Sequence, residues 1–188
     1  MKKAGIARTG DFEKHGISRT ELRRLQDRGI VERVGRGLYT LPKAVLTELH
    51  SLAEASRRAP GGVICLLSAL RFHGLTTQNP FEVWMAIDRK AWRPKAGNVR
   101  FRLVHMSGKS FDEGVEVNDV AGVTVRVFGA AKTVADCFKF RNKVGLDVAV
   151  EALREYRRLH RKKLNLLWQF AEVDRVARVI RPYLEALG

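Results

Sequence analysis

Cysteine is scarce: Cys65 and Cys137 are the two in 188 residues. With no CxxC pair and no framework of bridges, the sequence excludes a stapled secreted domain and fits a reducing cytosol. Both cysteines sit among apolar residues and are expected to be inert core thiols. Long hydrophobic runs are also missing. The longest largely apolar stretch, residues 59–70, falls well short of the roughly 20 residues that a bilayer crossing needs, and it contains Pro60-Gly61-Gly62. Met1-Lys2-Lys3 is not followed by the apolar segment of a signal peptide. A soluble, cytoplasmic protein with no membrane partner is expected. The 16 glycines and 5 prolines are too few for a collagen-like or low-complexity chain. No Walker-type or dinucleotide-type glycine pattern occurs, and Gly35-Arg36-Gly37 is too short to cradle phosphates. The histidines, at positions 15, 50, 73, 105 and 160, lack ligand spacing, so neither metal nor cofactor is expected.

Basic residues are what the sequence has in excess. Thirty-five Lys plus Arg against 20 Asp plus Glu leave a formal charge of +15, the balance of a protein that meets a polyanion. Residues 1–45 carry 11 basic and 5 acidic side chains, the densest net charge along the chain. A nucleic-acid surface is therefore expected there first.

That segment has an ordered set of local signals. Ser18 is a good N-cap, Glu21 stands three residues on in the capping-box position, and Gly29 supplies a left-handed C-terminal turn. The spacing predicts a short helix in which Leu22 and Leu25 form the buried stripe, while Thr20, Arg23, Arg24 and Asp27 fall on the opposite face. Residues 30–34 and 38–41 read as two strands about the Gly35-Arg36-Gly37 turn, ended by Pro42. A capped helix followed by a small basic hairpin is the order of a winged helix-turn-helix, whose polar helix face would enter a major groove.

Further on, helices are predicted from about Val45 to Arg58 and from about Cys65 to Gly74. Strands are predicted at 81–87, 99–105, 115–117 and 123–128, and helices at 131–140, 146–159 and 164–180, the last broken by Pro182. The expected class is α+β: an N-terminal winged helix-turn-helix at 1–45, then a mixed α+β domain with a helical C-terminal part at 46–188.

Four blocks carry a resemblance to a known family. They are Gly16-Ile17-Ser18-Arg19 through Leu22 with Arg33-Val34-Gly35-Arg36-Gly37-Leu38-Tyr39; Ser68-Ala69-Leu70 with His73-Gly74-Leu75; Val125-Arg126-Val127-Phe128 with Ala131-Lys132-Thr133-Val134-Ala135-Asp136; and Val179-Ile180-Arg181-Pro182-Tyr183-Leu184. In this order the chain resembles the AbiEi antitoxins, transcriptional regulators of type IV toxin–antitoxin systems in abortive infection. The resemblance implies a winged helix that binds inverted repeats in duplex DNA of its own promoter. It also implies a C-terminal domain that acts against a nucleotidyltransferase-like toxin, and no catalysis. About ten residues precede Asp11-Phe12, so the helix before the turn is expected to be very short, or the start late.

The expected DNA contacts are Ser18, Arg19, Thr20, Arg23, Arg24, Arg28, Arg33 and Arg36. Arg23, Arg24 and Thr20 are assigned to base edges, Arg19 and Arg28 to phosphates, and Arg36 to the minor groove or backbone at the wing tip. The run from Arg154 to Lys163 gathers six basic residues in ten. It reads either as a solvated helix end or as a surface for a nucleic acid, a toxin or the toxin's RNA substrate, and the sequence does not choose. An RNA- or protein-binding module centred on the basic C-terminal domain is accordingly the alternative function. Trp92 stands in a basic loop, with Arg89, Lys90, Arg93 and Lys95, where an aromatic ring can stack on an unpaired base. A nuclease reading of Glu82 and Asp88 fails on spacing, since six residues of strand put them about 20 Å apart. No catalytic residue is expected.

Overall fold

A computed structural model describes residues 6–40, 49–94, 99–120 and 122–187. Its first elements are β1 (Ile6–Arg8), α1 (Thr9–Lys14), α2 (Arg19–Asp27), β2 (Glu32–Gly35) and β3 (Leu38–Thr40). The strands form an antiparallel sheet in the order β1-β3-β2, with a register shift between Arg33 and Gly35. The helix before the turn is short, six residues from Thr9 to Lys14. Phe12 on α1, Leu22 on α2, Val31 and Ala7 close a small core, with the Tyr39 ring edge-on to Phe12 at 5.7 Å.

The predicted boundary near residue 45 and the start of the helix expected from Val45 lie outside the described residues. From there the chain runs through α3 (His50–Arg58), β4 (Val63–Ile64), α4 (Leu66–Phe72), β5 (Val83–Asp88), β6 (Phe101–Met106), α5 (Lys109–Asp112), β7 (Val115–Val120) and β8 (Val123–Phe128). It ends in α6 (Ala130–Lys139), α7 (Arg141–Val144), α8 (Leu146–Leu159), α9 (Leu164–Val173) and α10 (Ala177–Ala186). The protein is α+β. A five-stranded mixed sheet, ordered β6-β5-β4-β8-β7, is covered on both faces. This is why β5 reads as an unbroken apolar run. Val83, Met85 and Ile87 join the core on the α3 side, while Trp84 and Ala86 join the larger core with α4, α6, α8 and α9. Among the described residues no helix is long and apolar enough to cross a membrane.

Several elements differ from the sequence reading: β1, α5 and α7 are additional to it, and β7 runs on from the expected 115–117 to Val120. Val63-Ile64, expected merely to lead into a helix, is the central strand: Val63 and Ile64 pair antiparallel with Ala86 and Met85, and Ile64 pairs in parallel with Val127. The helix predicted over 164–180 is two helices, with Pro182 inside the second rather than ending it. The break falls at Asp174-Arg175, where Arg175 takes a left-handed φ of 58° and Val176 N donates back to Ala171 O at 2.8 Å.

Asp174 is held there by a buried group of charges. Lys132 Nζ, fully buried on α6, bonds Asp136 one turn on and Asp174 Oδ2 at 3.2 Å. Lys139 Nζ and Ser110 Oγ both donate to Asp174 Oδ1, at 3.0 and 2.8 Å. Burial pushes the Asp136 carboxyl well above its usual range, against the opposing pull of Lys132. Burial alone would raise Asp174 too, but the hydrogen bond with Asp136 and the two lysines outweigh it and hold that carboxyl low. Cys65 and Cys137 are buried thiols, pushed up chiefly by burial.

Candidate nucleic-acid interface

The turn between α1 and α2 is built by backbone geometry. His15 N and Ile17 N both donate to Phe12 O, at 3.0 and 2.9 Å, and Gly16 takes a left-handed φ of 79° that a side chain would strain. Ser18 Oγ then accepts from Glu21 N at 3.2 Å and starts α2, whose last turn closes on Gly29 at φ 67°. Leu22 is buried and Leu25 half-buried, which turns the opposite side of the helix outward.

All eight expected contact residues are exposed. Thr20, Arg23 and Arg24 lie along the outward face of α2, with Arg28 at its C-cap and Arg36 at the tip of the β2–β3 turn. Arg23, Arg24, Arg28 and Arg36 have no side-chain partner among the described residues. The others are partly occupied. Arg19 Nε is 2.8 Å from Glu13 Oε1, Arg33 Nε donates to Gly35 O at 3.2 Å, and the Ser18 hydroxyl is the helix cap. The other four cations, Arg23, Arg24, Arg28 and Arg36, lie on the outward face of α2, at its C-cap and at the tip of the β2–β3 turn.

Sequence reasoning missed what fixes this unit to the rest of the protein. At the end of α3, Arg57 Nη1 lies 2.7 Å from Asp11 Oδ2 on α1, and Arg58 Nη2 donates to Val34 O on β2 at 2.8 Å. Arg58 is in turn paired with Glu54 at 2.7 Å, both side chains more than nine-tenths buried. Burial opposes the charge on Asp11, but the Arg8 backbone N–H and Arg57 prevail and lower its pKa. The available signal was an Arg-Arg pair ending an amphipathic helix, which reads equally as a solvated helix end. Gly35 lies under the Arg58 guanidinium, and a Cβ there would stand 2.0 Å from Nη2. Gly35→Ala is expected to dislodge Arg58, strand Glu54 and cost about 1–3 kcal/mol of stability, read as a lower denaturant midpoint. An unchanged midpoint would show that Arg58 does not clamp the wing.

The remaining singled-out residues lie elsewhere. His73 Nε2 is 2.7 Å from Phe128 O and ties the end of α4 to β8. Glu82 faces Arg102 at 3.7 Å, and Asp88 Oδ1 accepts from Lys90 N at 2.8 Å, so each carboxylate of the nuclease reading has its own partner. The basic run closes α8 and continues into a 3-10 turn, Arg161–Lys163. Arg154, Arg157, Arg158 and Arg161 line an open groove of about 630 Å³ with Leu187, and Arg158 is paired with Glu155 at 2.7 Å.

No curated protein matches the chain. Over residues 1–42, the stretch that contains α1, α2 and both strands of the wing, the chain matches the family model described as "Transcriptional regulator, AbiEi antitoxin".

Proposed function

We infer that this protein is a cytoplasmic, non-enzymatic DNA-binding regulator that serves as the antitoxin of a type IV toxin–antitoxin system. Residues 1–45 bind inverted repeats in duplex DNA of its own operon, and residues 46–188 act against a nucleotidyltransferase-like toxin. One observation carries the reading: the unpartnered arginines of α2 and the wing tip occupy the exposed face of the segment that matches the regulator family. Arg23, Arg24 and Thr20 reach base edges; Arg19, Arg28 and Arg33 hold phosphates, Arg36 enters from the wing, and Ser18 sets the helix N-terminus against the backbone.

The test is binding of the purified protein to its own upstream DNA and to a scrambled duplex of equal length, at about 150 mM salt. Arg23→Ala is expected to cost about 1–3 kcal/mol on the upstream DNA and to narrow the gap between the two duplexes. Equal, weak binding of both duplexes by the parent protein would sink the repressor reading. The arginine-lined groove at the end of α8 favours a second reading, in which RNA or protein binding by the C-terminal domain is the main function. That reading predicts that the parent protein binds upstream and scrambled duplexes alike, and that removal of Arg154 and Arg161 abolishes its binding of RNA or protein.

A further inference from the structure

A tryptophan rarely stands in water without a reason, because its ring carries a large apolar area. Trp84 is buried and lies under the Arg102 guanidinium, and Trp168 lies beside Arg181. Trp92 differs: it is 96% exposed, the most exposed of the large hydrophobic side chains among the described residues. Its surroundings are charged rather than apolar. Arg89, Lys90 and Arg93 beside it are all exposed and without side-chain partners among the described residues.

The position is anchored. Ala91 N donates to Asp88 O at 2.9 Å, Lys90 N to Asp88 Oδ1 at 2.8 Å, and Arg89 N to Met106 O at 3.0 Å. The turn thereby grows out of buried β5 and is stitched to the end of β6. These two strands are parallel, with Asp88 opposite Met106 and Ile87 opposite His105. Their C-terminal ends therefore lie side by side and bring exposed His105 and Lys109 to the same edge. Residues 89–93 and 105–109 together hold four cations, one histidine and no carboxylate.

From this we propose that the β5–β6 edge is a binding site for single-stranded nucleic acid, with Trp92 as the stacking platform and Arg89, Lys90, Arg93 and Lys109 holding the flanking phosphates. An exposed indole on an edge that carries four cations matches an unpaired base between phosphates, and stacking is tolerant of base identity. A protein partner fits worse, since lysines such as Lys90 and Lys109 are depleted at the centre of protein interfaces and would have to be desolvated there. An intact duplex fits worse too, because its bases are already stacked and opening a step costs several kcal/mol. The site is separate from α2 and the wing, and does not depend on the duplex-binding reading.

The experiment uses the full chain with labelled oligo(dT) and oligo(U) of about twelve nucleotides, an abasic strand of equal length, and the upstream duplex. Trp92→Ala is expected to weaken binding of the base-bearing strands about tenfold and to abolish the quenching of intrinsic tryptophan emission that they cause. Trp92→Tyr retains most of the affinity, the abasic strand binds the parent about as weakly as the base-bearing strands bind Trp92→Ala, and duplex binding does not change. A loss confined to oligo(U) assigns the site to RNA, and one confined to oligo(dT) assigns it to DNA. Base-bearing strands bound alike by parent and Trp92→Ala, or an abasic strand bound as tightly as the others, would overturn the proposal.

Discussion

Lys132→Met is expected to lose about 3–5 kcal/mol of folding stability, measured as a fall in the denaturant midpoint with little change in slope. The reason is the position of this ammonium, fully buried between Asp136 and Asp174 where α6 meets the end of α9. Removing it deprives Asp136, a carboxyl already raised by burial, of the cation that offsets its desolvation, whereas Asp174 keeps Lys139 and Ser110. The double variant Lys132→Met/Asp136→Leu removes both members of the orphaned pair. It is expected to recover most of the loss, because a buried ion pair replaced by apolar groups of similar volume is often neutral. A double variant no more stable than the single one would show that the lysine acts through packing instead.

The pH dependence carries a sign that separates the two carboxylates. Asp174, lowered in the fold, contributes stability that is present above its ordinary value of 3.8 and is lost as pH falls through its folded value. Asp136, raised in the fold, contributes stability that is full below 3.8 and is lost as pH rises through its folded value. Lys132→Met moves both folded values upward. The stability gap between variant and parent therefore narrows as the solution is acidified, and a gap that widened would contradict this assignment of charges.

Where the sequence could be read, the signal was local. Ser18, Glu21 and Gly29 bound α2 within ten or so residues of one another, and β8 over Val123–Phe128 and α8 over Leu146–Leu159 have the predicted limits. The exposed arginines of α2 were legible for the same reason, since helical periodicity places Arg23 and Arg24 opposite Leu22. What escaped depends on distant partners. β4 is too short to announce itself, and it is a strand because β5 and β8 close on either side of Val63-Ile64. The turn at Arg175 follows an Asp174 side chain held by residues 35 to 64 positions away, which leaves no mark on the hydrophobic pattern of α9 and α10. The Arg57 and Arg58 clamp escaped likewise, because a guanidinium aimed at Asp11 or at the Val34 carbonyl has the same sequence as one in water.

Affinity for upstream duplex DNA is expected to fall about 10³-fold between about 50 and 200 mM salt, while a gap between specific and scrambled sequence survives at both ends. The magnitude follows from about six phosphate contacts, with Arg19, Arg28, Arg33 and Arg36, all exposed on one short unit, supplying four of them and backbone N–H groups and other cations the rest. Counterion release at that number of phosphates sets a steep slope of log affinity against log salt. Arg36→Ala, at the tip of a turn and without a side-chain partner among the described residues, is expected to weaken binding of specific and scrambled duplexes alike and to reduce that slope by about one. Arg23→Ala, on the outward face of α2, is expected instead to erode the difference between the duplexes. Gly35→Ala offers an independent check on the wing, since it disturbs the Arg58 guanidinium that bonds Val34 O on β2 next to the Arg36 turn. Its slope should resemble that of Arg36→Ala. A slope unchanged by Arg36→Ala would place the wing off the DNA and leave α2 as the sole reader.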